Sequence, residues 1–229
     1  MEFLGFGSEG YGDELLWGFA LTLLLALASF FLSCAVGLLL GFVALSRQRL
    51  ARGFWRVYRS IAMGVPSVLV IFFVYFNLPY LLRSILAVDI EITALTAGIV
   101  ALTLVYAAYT GEVVRGAVSN VPAGQFEAAR ALGVRTFHLW RLIVIPQAFR
   151  LALPGLTNIW LILLKDTALV SLVGLEDIVR VANIAAGTTQ EPFLFYIVAM
   201  LAFVAVAGLS MMAVHKAEGW AGRGFADVR

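Results

Sequence analysis

Two groups of polar side chains in this sequence could do recognition chemistry. Glu127 opens the run Glu127-Ala128-Ala129, with Gly124 and Gln125 just before it and Gly133 six residues after it. Glu127 and Arg130 stand among alanines, small residues at which another protein could approach, so the segment reads as a docking element. Lys165-Asp166 forms the second group, with Thr167 beside it and Glu176 further along. It interrupts an apolar stretch, and a charge at membrane depth costs about 2.5–3.5 kcal/mol on insertion scales, so such a charge is expected to pair or to line a path. Successive helical residues diverge by about 100°, so Lys165 and Asp166 cannot both line one face. Asp166 is the residue assigned to a path, with Thr167, Lys165 and Glu176 as its neighbours along it. The alternative is that the pair marks the outer boundary of a tilted or short helix.

Bond-making chemistry finds no residues to carry it. The sequence contains no GxxxxGK[ST] phosphate loop, no Cys/His cluster and no carboxylate pair at catalytic spacing. Cys34 is the one cysteine, sits in an apolar run and is assigned to packing. His138 and His215 fall outside or at the edge of the apolar runs, which argues against a haem-anchoring subunit, whose histidines must lie within the membrane. No catalytic residue, metal or cofactor is implied.

The elements that must hold these residues are membrane spans. Hydrophobic residues make up 62% of the chain and charged residues 13%, about half the charge of a soluble domain. A spanning helix needs about 20 apolar residues. Residues 15–46, 60–82, 92–111 and 192–214 supply four such runs, and residues 151–173 are read as a fifth despite Lys165 and Asp166. Basic residues are retained inside, and they alternate strongly between the connecting segments. The segments holding Arg52 and Arg135 and the tail with Lys216, Arg223 and Arg229 are rich in bases, whereas the N-terminus and the segments around Arg83 and Arg180 are poor in them. Five spans with the N-terminus outside and the C-terminus inside fit that alternation; omitting the fourth span breaks it. The first fourteen residues hold acids, Glu9 among them, and no base, so the first span is read as retained rather than as a cleaved signal. The outer segments also carry a surplus of acids, including Glu176, Asp177 and Glu191, which would favour cationic substrates or a docking protein.

Residues 47–59 contain five arginines and no acid, which retention of positive charge inside accounts for; nucleic acid is not taken as a partner, and membrane lipid is. Gly37 and Gly41 have the GxxxG spacing that lets another helix approach closely. Gly64-Val65-Pro66 reads as a helix start or bend. The chain reads as one domain, without linker or repeat.

Residues 112–150 form the long inner connection. Pro122 suits the opening of a helix over residues 123–132, Gly133 its left-handed closing position, and Thr136 the cap of a second helix. With Glu127-Ala128-Ala129, Gly133 and then Ile143-Val144-Ile145-Pro146, this segment resembles the EAA signature of ABC importer permeases; Ile145 replaces the usual leucine. The likeness extends through Tyr109-Thr110-Gly111-Glu112, Arg115-Gly116-Ala117 and Leu164-Lys165-Asp166-Thr167-Ala168-Leu169, and is similar to the polar amino-acid subfamily. The run from Leu169 to Asp177 and Glu191-Pro192-Phe193 resemble the branch for histidine, lysine, arginine, ornithine or opines. Met63 stands where that subfamily often has arginine.

The resemblance implies an all-α membrane fold of the ABC type I importer permease kind, with a coupling helix between spans 3 and 4. Gly124, Gln125, Glu127, Ala128, Ala129, Gly133 and Pro146 would then couple to an ABC-type ATPase dimer, with Glu127 meeting a basic group there. It further implies a sister permease, as a heterodimer ahead of a homodimer, a periplasmic solute-binding protein, an amino-acid substrate and a bacterial inner-membrane location. An ATP-independent channel or secondary carrier is the alternative reading.

Overall fold

The computed structural model describes residues 2–7, 10–87 and 91–222, and every regular element among them is helical. Glu9, Arg223 and Arg229 lie outside the described residues. Among the described residues, five helices are long and apolar enough to cross a membrane.

Helix α1 (Gly12–Leu45) is apolar all round, and its direction of packing is decided by small residues rather than by hydrophobicity. Gly18, Thr22, Ala26, Ser29, Ser33, Gly37 and Gly41 are buried at near four-residue spacing, so the backbone along this stripe can come close to its neighbours. The GxxxG pair meets α5 (Ala94–Ser119): a Cβ on Gly37 would lie 2.5 Å from the Thr110 Cβ, and one on Gly41 would lie 2.6 Å from a Val114 methyl.

The arginine-rich segment forms its own amphipathic helix, α2 (Arg49–Gly64). Val65 and Pro66 are extended, as expected of proline and the residue before it, and the second span starts only at Ser67. The expected span from residue 60 is therefore shorter and begins past a break. It comprises α3 (Ser67–Phe72), a π turn (Phe73–Asn77) and α4 (Leu78–Leu86). Pro79 lacks an N–H and crowds the carbonyl four residues back, so the ladder widens by one residue ahead of it.

The same device shapes the fourth span. α6 (Ala123–Ala131) is followed by α7 (Thr136–His138), a π turn (Leu139–Val144), α8 (Ile145–Asp166) and a 3-10 turn (Thr167–Val173). The expected separate second inner helix is absent: α7 runs unbroken into the span. Thr136 is inside the helix, Arg135 occupies the cap position, and no side chain caps it. Pro146 at the start of α8 is absorbed by the preceding π turn, so the helix bends rather than ends. The inner connection is thereby reduced to residues 120–135.

A further helix not read from the sequence, α9 (Ile178–Thr189), follows the fourth span, and α10 (Pro192–Gly222) is the fifth. Three apolar clusters hold the helices together. Leu25, Ile71, Leu102, Val105, Leu163 and Val170 join the first four spans at mid-membrane. Leu15, Ile178, Ala182 and Phe195 close the outer end, and Ala117, Val121, Ala129, Leu139 and Val144 close the inner one.

Candidate coupling surface and transport path

α6 is two and a half turns long, and one face of it is anchored. Ala129 is buried against Val121, Leu139 and Val144, while Gly124, Gln125, Glu127, Ala128 and Gly133 are exposed. The sequence grouped Ala128 and Ala129 together; the fold turns Ala128 outward and uses Ala129 as the inner anchor. Pro146 is exposed at the bend of the fourth span. Gly133 has φ +69, in the left-handed region as read from the sequence. Its N–H donates to the Arg130 carbonyl at 3.0 Å, and the Val134 N–H donates to the Ala129 carbonyl at 2.9 Å. These are the two bonds of a Schellman closure, which satisfies the last carbonyls of α6 and returns the chain to the inner core through Val134.

Beside this surface, Glu112 on α5 takes two arginines. Arg59 of α2 approaches it at 3.4 Å, and Arg115, one turn along α5, donates through Nε at 3.1 Å and also through its terminal nitrogen. Trp55 packs on Gly111, and the Tyr58 hydroxyl donates to the Leu104 carbonyl at 2.6 Å. α2 is thus clamped to α5 from its middle, at Leu104, to Glu112 nearer its inner end. Glu112 and Arg115 carry no role in the sequence reading; the available signal was an acid one helical turn from Arg115, on the side where the five arginines of residues 47–59 are also read to lie.

At the candidate path residues, Asp166 accepts a hydrogen bond of 2.9 Å from the Tyr106 hydroxyl. Tyr106 is almost fully buried near the midpoint of the 26-residue α5, so its partner lies at membrane depth rather than at the end of a span. The Tyr109 ring is 5.7 Å from that of Tyr106 and is partly exposed. Lys165 points outward and is exposed. Thr167 is fully buried and donates to the Leu164 carbonyl at 2.7 Å, so its hydroxyl serves the helix end. Tyr106 was not picked out from the sequence, because a tyrosine among apolar residues has no distinguishing pattern.

Glu176 is exposed on the outer side and lines a small pocket of about 150 Å³ with Tyr11, Glu14 and Trp17. Asp177 next to it is fully buried and caps α9, accepting from the Arg180 N–H at 2.9 Å. The Ile178 N–H donates to Thr22, and a Cβ on Gly18 would lie 2.9 Å from the Asp177 backbone, so α9 is seated on α1. Burial raises the Asp177 carboxyl to about 6, with the backbone hydrogen bonds of the cap opposing the rise. A larger groove of about 470 Å³ is lined by Tyr58, Ile61, Val65, Leu69, Phe73 and Leu104. Its lining is apolar, which unsuits it to a zwitterionic solute. Among the described residues no group of His, Cys, Asp or Glu could hold a metal ion.

Residues 33–217 match the family described as binding-protein-dependent transport system inner membrane component. The chain is 41% identical over 227 residues to the nopaline transport system permease protein NocQ of Agrobacterium fabrum, covering 96% of each. It is 37% identical to the arginine ABC transporter permease protein ArtQ of Haemophilus influenzae, covering 86% of this chain and 89% of that one. With the histidine/lysine/arginine/ornithine transport system permease protein HisQ of Escherichia coli it shares 38% identity, over 82% of this chain and 85% of that one. Among solved structures, an amino acid ABC transporter crystallised with histidines superposes with a TM-score of 0.77 at 27% identity, over 94% of this chain and 95% of that one. An inward-facing form of the MetNI methionine ABC transporter has the same fold, with a TM-score of 0.76 at 21% identity over 95% of this chain and all of that one.

Proposed function

The chain belongs to the binding-protein-dependent transport system inner membrane component family and is an amino-acid ABC transporter permease, and from this we propose that it moves a basic amino acid or an amino-acid derivative inward across the bacterial cytoplasmic membrane, driven by a separate ATPase. The observation that carries the reading is α6, a short helix anchored on one side by Ala129 and presenting Glu127 and Ala128 on the other. A nucleotide-driven partner would grip that exposed face, with Glu127 meeting a basic group.

α6 stands between the inner ends of α5 and of the fourth span, separated from each by a few residues. Moving α6 therefore moves both helices as rigid levers. Tyr106 is on one and Asp166 on the other, so coupling motion reaches the polar pair at mid-membrane. Asp166 offers the carboxylate for a cationic solute, and Tyr106 orients it. Five spans are too few to enclose a polar path, which supports pairing with a sister permease, different in sequence or identical. The relatives are named for nopaline, arginine and histidine/lysine/arginine/ornithine transport, which supports a basic substrate. A periplasmic binding protein would deliver it to the outer, acid-rich side.

The test is to purify the chain with its partners by a C-terminal tag, in wild-type form and as Ala128→Trp. Ala128 is exposed, so the tryptophan obstructs docking without disturbing the core. Co-purification of an ATP-binding subunit by the wild type alone, with ATPase activity raised by substrate-loaded binding protein, is the expected result. A well-folded wild type that never brings an ATP-binding subunit would favour a channel or carrier.

A further inference from the structure

We propose that α2 is a binding site for anionic phospholipid of the inner leaflet. The helix sorts its residues onto three faces. Ala51, Trp55, Tyr58 and Ala62 fall on one side by helical spacing, and there Trp55 is buried on Gly111 while Tyr58 bonds to Leu104 of α5. Leu50, Phe54, Val57 and Ile61 recur at spacings of four, three and four on a second face and are 89%, 58%, 60% and 60% exposed. Arg49, Arg52, Arg56 and Arg59 form the third. Among the described residues, Arg59 alone of these four is drawn to an acid, Glu112; Arg49, Arg52 and Arg56 are exposed, and α2 contains no acid to meet them.

An exposed apolar stripe at an inner span end, with an unneutralised arginine row on the same helix, matches a membrane surface that offers acyl chains and phosphate groups together. Helices with this division of faces lie in the boundary between acyl chains and headgroups, and guanidinium groups bind phosphate bidentately. The stripe alone would also fit a sister permease, but a protein partner gives no reason for the accompanying arginines, whereas an anionic leaflet does. Because α2 is clamped to α5 by Arg59, Trp55 and Tyr58, lipid bound there bears on the helix that leads into α6. The inside placement of α2 comes from the proposed orientation; the lipid site itself does not depend on transport.

The assembled transporter would be reconstituted in nanodiscs of phosphatidylcholine alone or mixed equally with phosphatidylglycerol. A dye on Val57→Cys, in a Cys34→Ala background, reports contact with acyl chains through quenching by nitroxide-labelled lipid. Native mass spectrometry counts the phosphatidylglycerol retained by the wild type and by R49Q/R52Q/R56Q, with R49K/R52K/R56K as the charge-preserving control. Each basic residue near an anionic surface contributes about a five-fold effect, so the glutamine variant should lose retention by more than about ten-fold and the lysine variant should keep most of it. Strong quenching at position 57 together with that loss supports the site. Absence of quenching, as when a sister permease covers the stripe, or equal retention in the wild type and the glutamine variant, overturns it. A complex that retains the lipid in this way but transports nothing leaves the site standing and counts against the importer reading alone.

Discussion

Gly133 allows the docking surface to be perturbed through backbone geometry alone. Its φ is +69, and a Cβ built there meets nothing within 4 Å, so a substitution adds no clash with the surroundings. The penalty is the intrinsic one for an L-residue in the left-handed region, about 1–2 kcal/mol, smaller for asparagine and larger for a β-branched residue. α6 spans nine residues, too few for an isolated helix to be stable in water, so it depends on the closure that Gly133 and Val134 make and on the Ala129 anchor. One or two kcal/mol corresponds to a factor of about 5–30 in a two-state equilibrium. If the partner recognises closed α6, Gly133→Ala should weaken ATPase binding about 5–30-fold, Gly133→Val more, and Gly133→Asn least. The assay is titration of the purified ATPase subunit onto the permease in nanodiscs, with thermal stability as the control for global folding. Because Gly133 lies outside the spans and outside the core clusters, the midpoint should stay near that of the wild type. Wild-type affinity for Gly133→Val would refute the reasoning, and asparagine as damaging as valine would place the effect in side-chain size instead of φ.

Three other outcomes are expected. Asp166→Asn should lower the uptake of labelled arginine by the assembled transporter, with assembly intact; unchanged affinity and rate would remove Asp166 from the path. Gly37→Ala places a Cβ 2.5 Å from Thr110 and 2.9 Å from the Ala107 carbonyl, an overpacking worth about 1–3 kcal/mol of lost stability. Gly116→Ala on α5 meets nothing within 4 Å and should be neutral or stabilising by up to about 1 kcal/mol, so similar melting shifts for the two variants would contradict the α1–α5 packing. For Asp177 the folded state holds its proton up to about pH 6 against an ordinary value of 3.8. The folded state therefore binds more protons than the unfolded one between those values, and stability should fall as pH rises from about 4 through 6 and stay lower above. Asp177→Asn keeps an acceptor for the Arg180 N–H and should flatten that slope in a thermal-stability series across pH; a slope unchanged in the variant would assign it to other groups.

What could be read along the chain and what could not divides by the range of the interactions involved. Gly133 was legible because a helix end fixes its own φ within a few residues. Glu127 could be singled out because the residues of its motif lie close together along the chain, and the fold leaves it exposed; its docking role is a proposal. Ala128 and Ala129 could not be told apart by type, since which alanine faces inward depends on where Val121 and Leu139 sit. Thr136 was read as a cap because threonine often is one; the apolar run beyond it instead carries the helix straight into the membrane, past a proline that a π turn accommodates. The break at Val65-Pro66 was foreseen, but not that the arginines before it form a helix with three distinct faces.

Hydrophobic run length and charge bias were enough to read the bilayer as solvent, the five spans, their alternating direction and the inner placement of the segment around α6. Hydrophobic length and the bias of basic residues act span by span, so no tertiary contact is needed to see them. Which polar groups meet depends on how the helices pack. That packing joined Tyr106 to Asp166 sixty residues away, and Arg59 to Glu112 fifty-three residues away. It also turned the small stripe of α1 toward α5 and seated α9 on α1. In a helix that is apolar on every side the pattern of hydrophobicity points nowhere, so close packing of small residues and the satisfaction of buried polar atoms set the arrangement.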